Sequence, residues 1–349
     1  MKALILVSCL VSLMLSGCLG KPEASGDGTQ LVVVADDEVW HELEEPIRQT
    51  FEKVIPTPQP EKLFNIVHAR ADNWTEFATQ RNLAFVGTLR GQGEISGQVQ
   101  NMLSSGVRAQ VEAGTAFVFP RNDPWARRQL LLVLAGQSAA DLAEKLIDNN
   151  DYLYALFEKR LLERTSKQMY DQFEQTDLAG KILDKYGWTL RVQHDYIVNI
   201  DRAESGFYML RRSLPGRERW LFVHWLDEAD PDDISEEWIM QTRDKMGRKF
   251  YKNDLINRNP KYTRFEDVDF AGRPAVRLSG LWENDDELAG GPFRNYTFYD
   301  NDTHRIYMVD VAVYYPGGRK ELFLRQLDIM ANTFRTAADI RREKKKENS

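Results

Sequence analysis

Apolar positions along the chain switch between two periods, and the switches mark its elements. Leu31–Ala35 is a short unbroken apolar run, suited to a buried strand. Asp36 or Asp37 can cap the helix that follows, where Val39, Trp40, Leu43, Ile47 and Phe51 recur near helical spacing. Prolines at 56, 58 and 60 close it. Strands are predicted over 63–68 and 83–89, with a short helix over 74–79 between them, and again over 115–119 and 129–135. This alternation predicts an N-terminal α/β-like half over 31–136. Ser138, with Asp141 three residues on as a short capping box, opens a helical connector over 137–187. Its stripe is Leu142, Leu146, Leu153, Phe157 and Leu161, continued by Met169, Phe173, Ile182 and Tyr186.

The second half, 188–336, reads as strand-rich. Strands are predicted over 189–192, 196–200, 206–212, 219–225, 264–270, 274–282, 293–300 and 305–315. One helix intrudes, with Asp230 as N-cap and Pro231 at its first position. A last helix carries Phe323, Leu327, Met330 and Phe334 on one seam. Asn301-Asp302 forms a turn pair whose closure sets Tyr296 against Tyr307, Phe298 against Arg305 and Phe293 against Asp310. Val309, Val311 and Val313 then share the Tyr307 face, the core side under the last helix. The other face carries Asn295, Thr297, His304, Met308, Asp310 and Tyr314, a mixed surface better suited to a ligand or partner than to a core. The fold class expected is α+β, with mixed and antiparallel sheets and packed helices.

The first residues set the compartment. Lys2 precedes an apolar stretch, Ala3–Leu15, that is too short to span a bilayer and fits a signal-peptide core. It ends in Leu15-Ser16-Gly17-Cys18, which resembles the lipobox of bacterial lipoproteins. That resemblance implies cleavage after residue 17, acyl chains (palmitate among them) on Cys18, and permanent membrane anchoring. Leu19 stands where an aspartate retains some lipoproteins in the inner membrane, and 19–27 holds no acidic run, so the expected place is the periplasmic face of the outer membrane. Residues 18–30, rich in Gly, Ser and charge, read as a flexible tether. Residues 337–349 read as a charged tail, a solvated helix end around Arg341-Arg342-Glu343-Lys344-Lys345-Lys346.

Composition narrows the rest. Of 349 residues, 349 − 17 = 332 remain after cleavage, with 42% hydrophobic, enough for a core without disulfides. The cysteines are Cys9, lost with the signal, and Cys18, taken by lipid. A net charge of −7 argues against nucleic acid as a partner. His41, His68, His194, His224 and His304 form no metal motif, so no metal or cofactor is expected. Gly91-Gln92-Gly93-Glu94-Ile95-Ser96-Gly97 follows a strand like a dinucleotide loop, but its third glycine is one residue late; it reads as a mobile surface loop. Carboxylates cluster at Asp227–Asp233 and Glu283–Glu287. Caps and solvated loop charge account for them, and a glycosidase-like acid and base pair is the catalytic alternative.

Trp282, Gly290, Gly291, Pro292, Phe293 and Asp310 are the candidate binding surface. Consecutive glycines permit positive φ or a close backbone approach, proline fixes entry to the strand, and Asp310 falls at the same rim. Val32–Trp40, Pro58–Phe64, Asp123-Pro124-Trp125-Ala126, Gly280-Leu281-Trp282-Glu283, Gly290–Phe293 and Leu324–Leu327 together resemble the envelope lipoproteins classed as domain of unknown function 4837, over about residues 30–335. The resemblance implies one unit, and brings no catalytic residue. Three functions stay open: a non-catalytic module binding an envelope protein or glycan, a carboxylate-dependent hydrolase, and a structural or assembly factor. The anchor is directly testable: Cys18→Ser should leave the chain without lipid mass, either uncleaved or released in soluble form. A membrane-bound variant with wild-type lipid mass would refute the anchor.

Overall fold

The structure, a computed structural model, describes residues 20–55, 57 and 59–347. The signal segment 1–17, Cys18 and Leu19 lie outside the described residues. Contacts divide the rest into two units: residues up to His41 with Val67–Leu142, and Glu42–Ile66 with Ala143 onward. The architecture is α+β, with an α/β first part and a strand-rich second part.

The first unit is built on strands β1 (Gln30–Val34), β2 (Asn65–Ala69), β3 (Asn82–Thr88), β4 (Val118–Asn122) and β5 (Leu130–Gly136), in the order β2-β1-β3-β5-β4. β1, β3 and β5 are parallel, and their unbroken apolar runs are buried along their lengths, as central parallel strands require. α1 (Asp37–Phe51) follows β1. Gly91–Gly97, expected as a mobile surface loop, instead leads into α2 (Glu94–Met102), and α3 (Ser105–Glu112) follows. Asp36 decides this: its carboxylate accepts the Ile95 and Ser96 amides, both at 2.9 Å, capping α2 from the end of β1. A Cβ at Gly93 would lie 2.1 Å from the Asp36 carboxyl carbon, so the glycine is there to admit the cap. The same carboxylate fills the helix terminus where a dinucleotide phosphate would have to sit.

The expected tether is also corrected. Ala24 and Ser25 donate to the Arg127 and Thr79 carbonyls at 2.9 Å, Arg127 donates to Pro22 at 2.7 Å, and Ala24 and Thr29 are buried. Main-chain bonds, invisible to composition, hold a stretch whose side chains read as a linker.

The second unit contains α4 (Ala139–Asp148, beginning just before it), α5 (Asn150–Tyr170) and α6 (Thr176–Tyr186). Ser138 and Asp141 do cap this helix: Ser138 Oγ accepts the Asp141 amide at 3.3 Å, and Asp141 reaches back one residue further to accept the Gln137 amide at 2.9 Å. The sheet comprises β6 (Ile197–Arg202), β7 (Phe207–Leu214), β8 (Arg217–Leu226), β9 (Leu255–Ile256), β10 (Arg264–Phe270), β11 (Arg273–Asn284), β12 (Ala289–Asp300) and β13 (Arg305–Tyr314). Its order is β9-β11-β12-β13-β8-β7-β6, with β10 also paired to β11.

The β12–β13 hairpin departs from the two-residue turn. Asp300 Oδ1 accepts the Thr303 amide at 2.9 Å and its hydroxyl at 2.8 Å, and His304 takes φ +53°. The link is therefore longer, and the register slides by two: Tyr296 faces Val309, Phe298 faces Tyr307 and Phe293 faces Ala312. A slide of two preserves parity, so the core face stands as read. Tyr296, Phe298, Tyr307, Val309, Val311 and Val313 pack with Leu324, Leu327, Met330 and Phe334 of α8 (Glu321–Ala331) and the residues after it.

The opposite face is where the reading fails. It is covered by α7 (Glu236–Phe250), which starts at an N-capping Ser235; Asp230-Pro231 opens only a single 3₁₀ turn. Asn295, Thr297, Met308 and Asp310 are fully buried. Asp310 Oδ2 accepts from Arg243 Nε at 2.9 Å and Asn295 Nδ2 at 3.0 Å, and Asn295 Oδ1 accepts from Thr297 Oγ1 at 2.8 Å. The Arg243 guanidinium lies 3.7 Å from the Phe293 ring centroid. Burial pushes the Asp310 carboxyl up from its ordinary pKa, and Arg243 opposes that rise.

The tail is helical, as α9 (Ala337–Glu347), and its start is docked. Asp339 pairs with Arg273 and accepts the Thr336 amide at 2.7 Å.

Arg243→Ala strands a buried carboxylate and should destabilise the protein by about 3–5 kcal/mol in denaturant unfolding. The double variant Arg243→Met with Asp310→Leu should recover much of that loss. Equal loss in both variants would show that packing, and not the pair, matters.

Candidate ligand-binding cleft

The cleft forms where α7 ends. The helix delivers Phe250 and then Tyr251, Lys252 and Asp254 before β9 pairs with β11, Ile256 opposite Trp282. The backbone turns tightly here, for a Cβ at Gly247 would lie 2.2 Å from the Asp254 carbonyl oxygen. These residues enclose, with Trp220, Trp282, Tyr314 and Met209 of the sheet, a cavity of about 270 Å³. Trp220 and Trp282 rings lie 5.2 Å apart at 59°, Trp282 and Tyr314 6.3 Å apart, and Trp220 and Tyr251 6.1 Å apart. The indoles are largely enclosed, while Phe250, Tyr251 and Tyr314 are half-buried.

Polar groups ring these aromatics. Arg211 pairs with Glu218, which also accepts Ser213 Oγ at 2.8 Å; Lys252 pairs with Glu287 at 2.8 Å. Asp254 accepts Asn284 Nδ2 at 2.7 Å, and burial raises its carboxyl above the usual aspartate pKa. The Tyr251 hydroxyl is enclosed without a hydrogen-bond partner, and burial raises its pKa well above the ordinary value.

The expected rim does not form one surface. Trp282 lines this cleft, its Nε1 donating to Val313 O at 3.3 Å. Gly291 is the close-approach glycine: a Cβ there would lie 1.9 Å from Val313 O and 3.0 Å from Trp282 Nε1, and neither it nor Gly290 takes positive φ. Pro292 and Phe293, both buried, line a second cleft instead, and Asp310 is interior beneath α7. The acidic loop is tied locally, Glu283 accepting Asn257 Nδ2 at 2.5 Å. Among the described residues no group of three or more His, Cys, Asp or Glu is arranged to hold a metal ion. Trp220, Tyr251 and Asp254 were not singled out from sequence. The available signal was the aromatic Phe250-Tyr251 pair where α7 ends.

Residues 175–333 match the family described as domain of unknown function DUF4837. The C-terminal part is thus similar to that family. Residues 24–170 match a different family, domain of unknown function DUF8532, so the expected likeness over 30–335 divides between two families. The motifs within 32–126 fall in the DUF8532 match, and those from Gly280 to Leu327 in the DUF4837 match. No curated protein matches the chain. Similar solved structures include one from Bacteroides thetaiotaomicron, 6% identical with TM-score 0.27, the match covering 43% of this chain and 45% of that one. LpqN, involved in cell envelope biogenesis of Mycobacterium tuberculosis, is 10% identical with TM-score 0.27, covering 42% and 81%. The Saccharomyces cerevisiae Ran-binding protein Mog1p is 12% identical with TM-score 0.29, covering 43% and 90%.

Asp254 gives this cleft a pH signature. In the unfolded chain its pKa is about 3.9. Below that value both states bind the proton and Asp254→Asn should be neutral. As pH rises through the raised folded value, ionisation costs the native state more, so the variant should gain melting temperature over wild type between pH 4 and pH 7. A constant difference across that range would show that Asp254 is not held in a desolvated site.

Proposed function

We propose that the protein is a lipid-anchored envelope lipoprotein whose DUF4837-like part is a non-catalytic glycan-binding module, with the Trp220–Trp282–Tyr314 cleft as the sugar seat. The observation that carries this reading is the pairing of ring faces with charged hydrogen-bonding groups in one cavity. A sugar ring has an apolar C–H face that stacks on an aromatic and hydroxyls that bond to carboxylates and guanidinium groups. Arg211, Glu218 and Asp254 beside the rings offer both contacts. The cavity is slightly smaller than the usual range of about 300–1,000 Å³ for ligand pockets, which fits one ring better than a long chain.

The anchor reading rests on Leu15-Ser16-Gly17-Cys18, with Leu19 after it favouring the periplasmic face of the outer membrane. Among the described residues no helix is long and apolar enough to cross a membrane. Protease added to intact cells should leave the chain whole, and its degradation would overturn this placement.

A hydrolase is the second reading, favoured by one observation: Asp254 is raised toward the protonated form in an aromatic cleft that also holds Glu218. That is the environment of a general acid.

Titration with soluble fragments of envelope glycan should quench tryptophan fluorescence saturably. Tyr314→Ala should weaken binding by about tenfold, the loss of a stacking contact of about 1.5 kcal/mol. Release of shortened glycan that is abolished in Asp254→Asn would favour the hydrolase. No saturable quenching by any fragment would sink the sugar seat.

A further inference from the structure

A second cleft of about 630 Å³ lies in the same unit, floored by Pro292 and Phe293 and walled by charged side chains. The strand registers place those charges. Arg264, Ser279 and Arg294 stand side by side across β10, β11 and β12, and Glu266, Arg277 and Tyr296 stand side by side in the next same-face row. Three arginines therefore occupy one small patch of a single sheet face.

Their compensation is uneven. At the α8 end, Arg294 pairs with both Glu321 and Asp328, and Tyr296 donates its hydroxyl to Asp328 at 2.9 Å. At the β10 end, Arg264 and Arg277 share one carboxylate, Glu266, at 2.8 and 2.7 Å. Lys261, just before β10, also lines the cleft; its ammonium has the Tyr262 ring 5.7 Å away and, among the described residues, no carboxylate within ion-pair reach. Arg277 Nε is enclosed and unpartnered, so Glu266 does not use the donors of that guanidinium fully. Three cations thus face one carboxylate on one wall of an open cavity. Like charges held in neighbouring cross-strand positions repel unless an anion lies between them.

We propose that the β10 end of this cleft is an oxyanion site, which takes a phosphate-class group between Lys261, Arg264 and Arg277. Guanidinium groups suit such a ligand because their planar forks match its oxygens in charge and geometry. Ser279, lining the same wall, adds a hydroxyl donor. The phosphate can come from a lipid headgroup or from a soluble phosphorylated compound; the recognising chemistry is the same. This site is independent of the sugar seat, which is lined by other residues.

Thermal unfolding of the purified full chain, with inorganic phosphate added against sodium chloride at matched ionic strength, tests the proposal. A ligand that binds only the folded state raises the melting temperature with its concentration. Phosphate should therefore stabilise saturably where chloride does not. Arg277→Gln should weaken the apparent phosphate affinity by about tenfold. If that variant does not fold, Lys261→Gln combined with Arg264→Gln carries the test, since both side chains are exposed. Tyr314→Ala, in the sugar seat, should keep the full phosphate response, so the two sites can fail separately. Displacement of phosphate by phosphatidylglycerol vesicles but not phosphatidylcholine vesicles identifies a lipid source, and displacement by glycerol phosphate alone a soluble one; both support the site. Equal stabilisation by chloride and phosphate, or a wild-type response in the Lys261/Arg264 double variant, overturns it.

Discussion

The second unit depends on one buried ion pair. Arg243 on α7 and Asp310 on β13 are both enclosed, and neither charge has water to fall back on. A charge in that position demands its partner, so α7 has one acceptable seat on the sheet. The flat guanidinium then serves as packing as well as charge, lying over Phe293 while its Nε–H reaches the carboxylate. Asn295 and Thr297 extend the network along β12. The adjacent Asp244 works on the same helix: it accepts the Ile256 amide at 2.8 Å and pairs with Arg258, which ties β9 to α7.

The sugar seat inherits its shape from that docking. Phe250, Tyr251 and Asp254 come from the end of α7 and the turn after it, whereas Trp220, Trp282 and Tyr314 belong to the sheet. The cavity exists because these two groups are held apart at a set distance. Gly291 adds a local condition, since only a residue without Cβ lets the Trp282 indole reach the Val313 carbonyl beside it. On the other side of the unit, a comparable role falls to Glu61. Its carboxylate accepts the Lys320 and Glu321 amides at 2.9–3.1 Å, capping α8 from far away in sequence. Both clefts lie beside helices whose seats are decided by a buried acidic side chain.

Local pattern determined a great deal. Period-two runs placed the long strands β8, β10, β11, β12 and β13 to within a few residues, and the Tyr307–Val313 face was correctly the core, because alternation records which side of a strand is apolar. Continuous apolar runs marked β1, β3 and β5, and Ser138 with Asp141 marked the start of α4, since a capping box is a contact between near neighbours.

Tertiary structure alone decided the rest, and in each case the deciding partner is distant in sequence. A polar strand face with Asn295, Thr297 and Asp310 looks solvated until an arginine on α7 neutralises it; residue type reports polarity and not whether a partner has been supplied. Gly91–Gly97 looks like a loop until Asp36, in the link between β1 and α1, caps the helix that starts within it. Residues 22–30 look like a linker because composition cannot show main-chain bonds to Thr79 and Arg127. The six residues singled out together were assigned by spacing along the chain; the fold sent Trp282 to one cleft, Pro292 and Phe293 to another and Asp310 to the interior, because side chains two positions apart share a face but helices covering that face divide it.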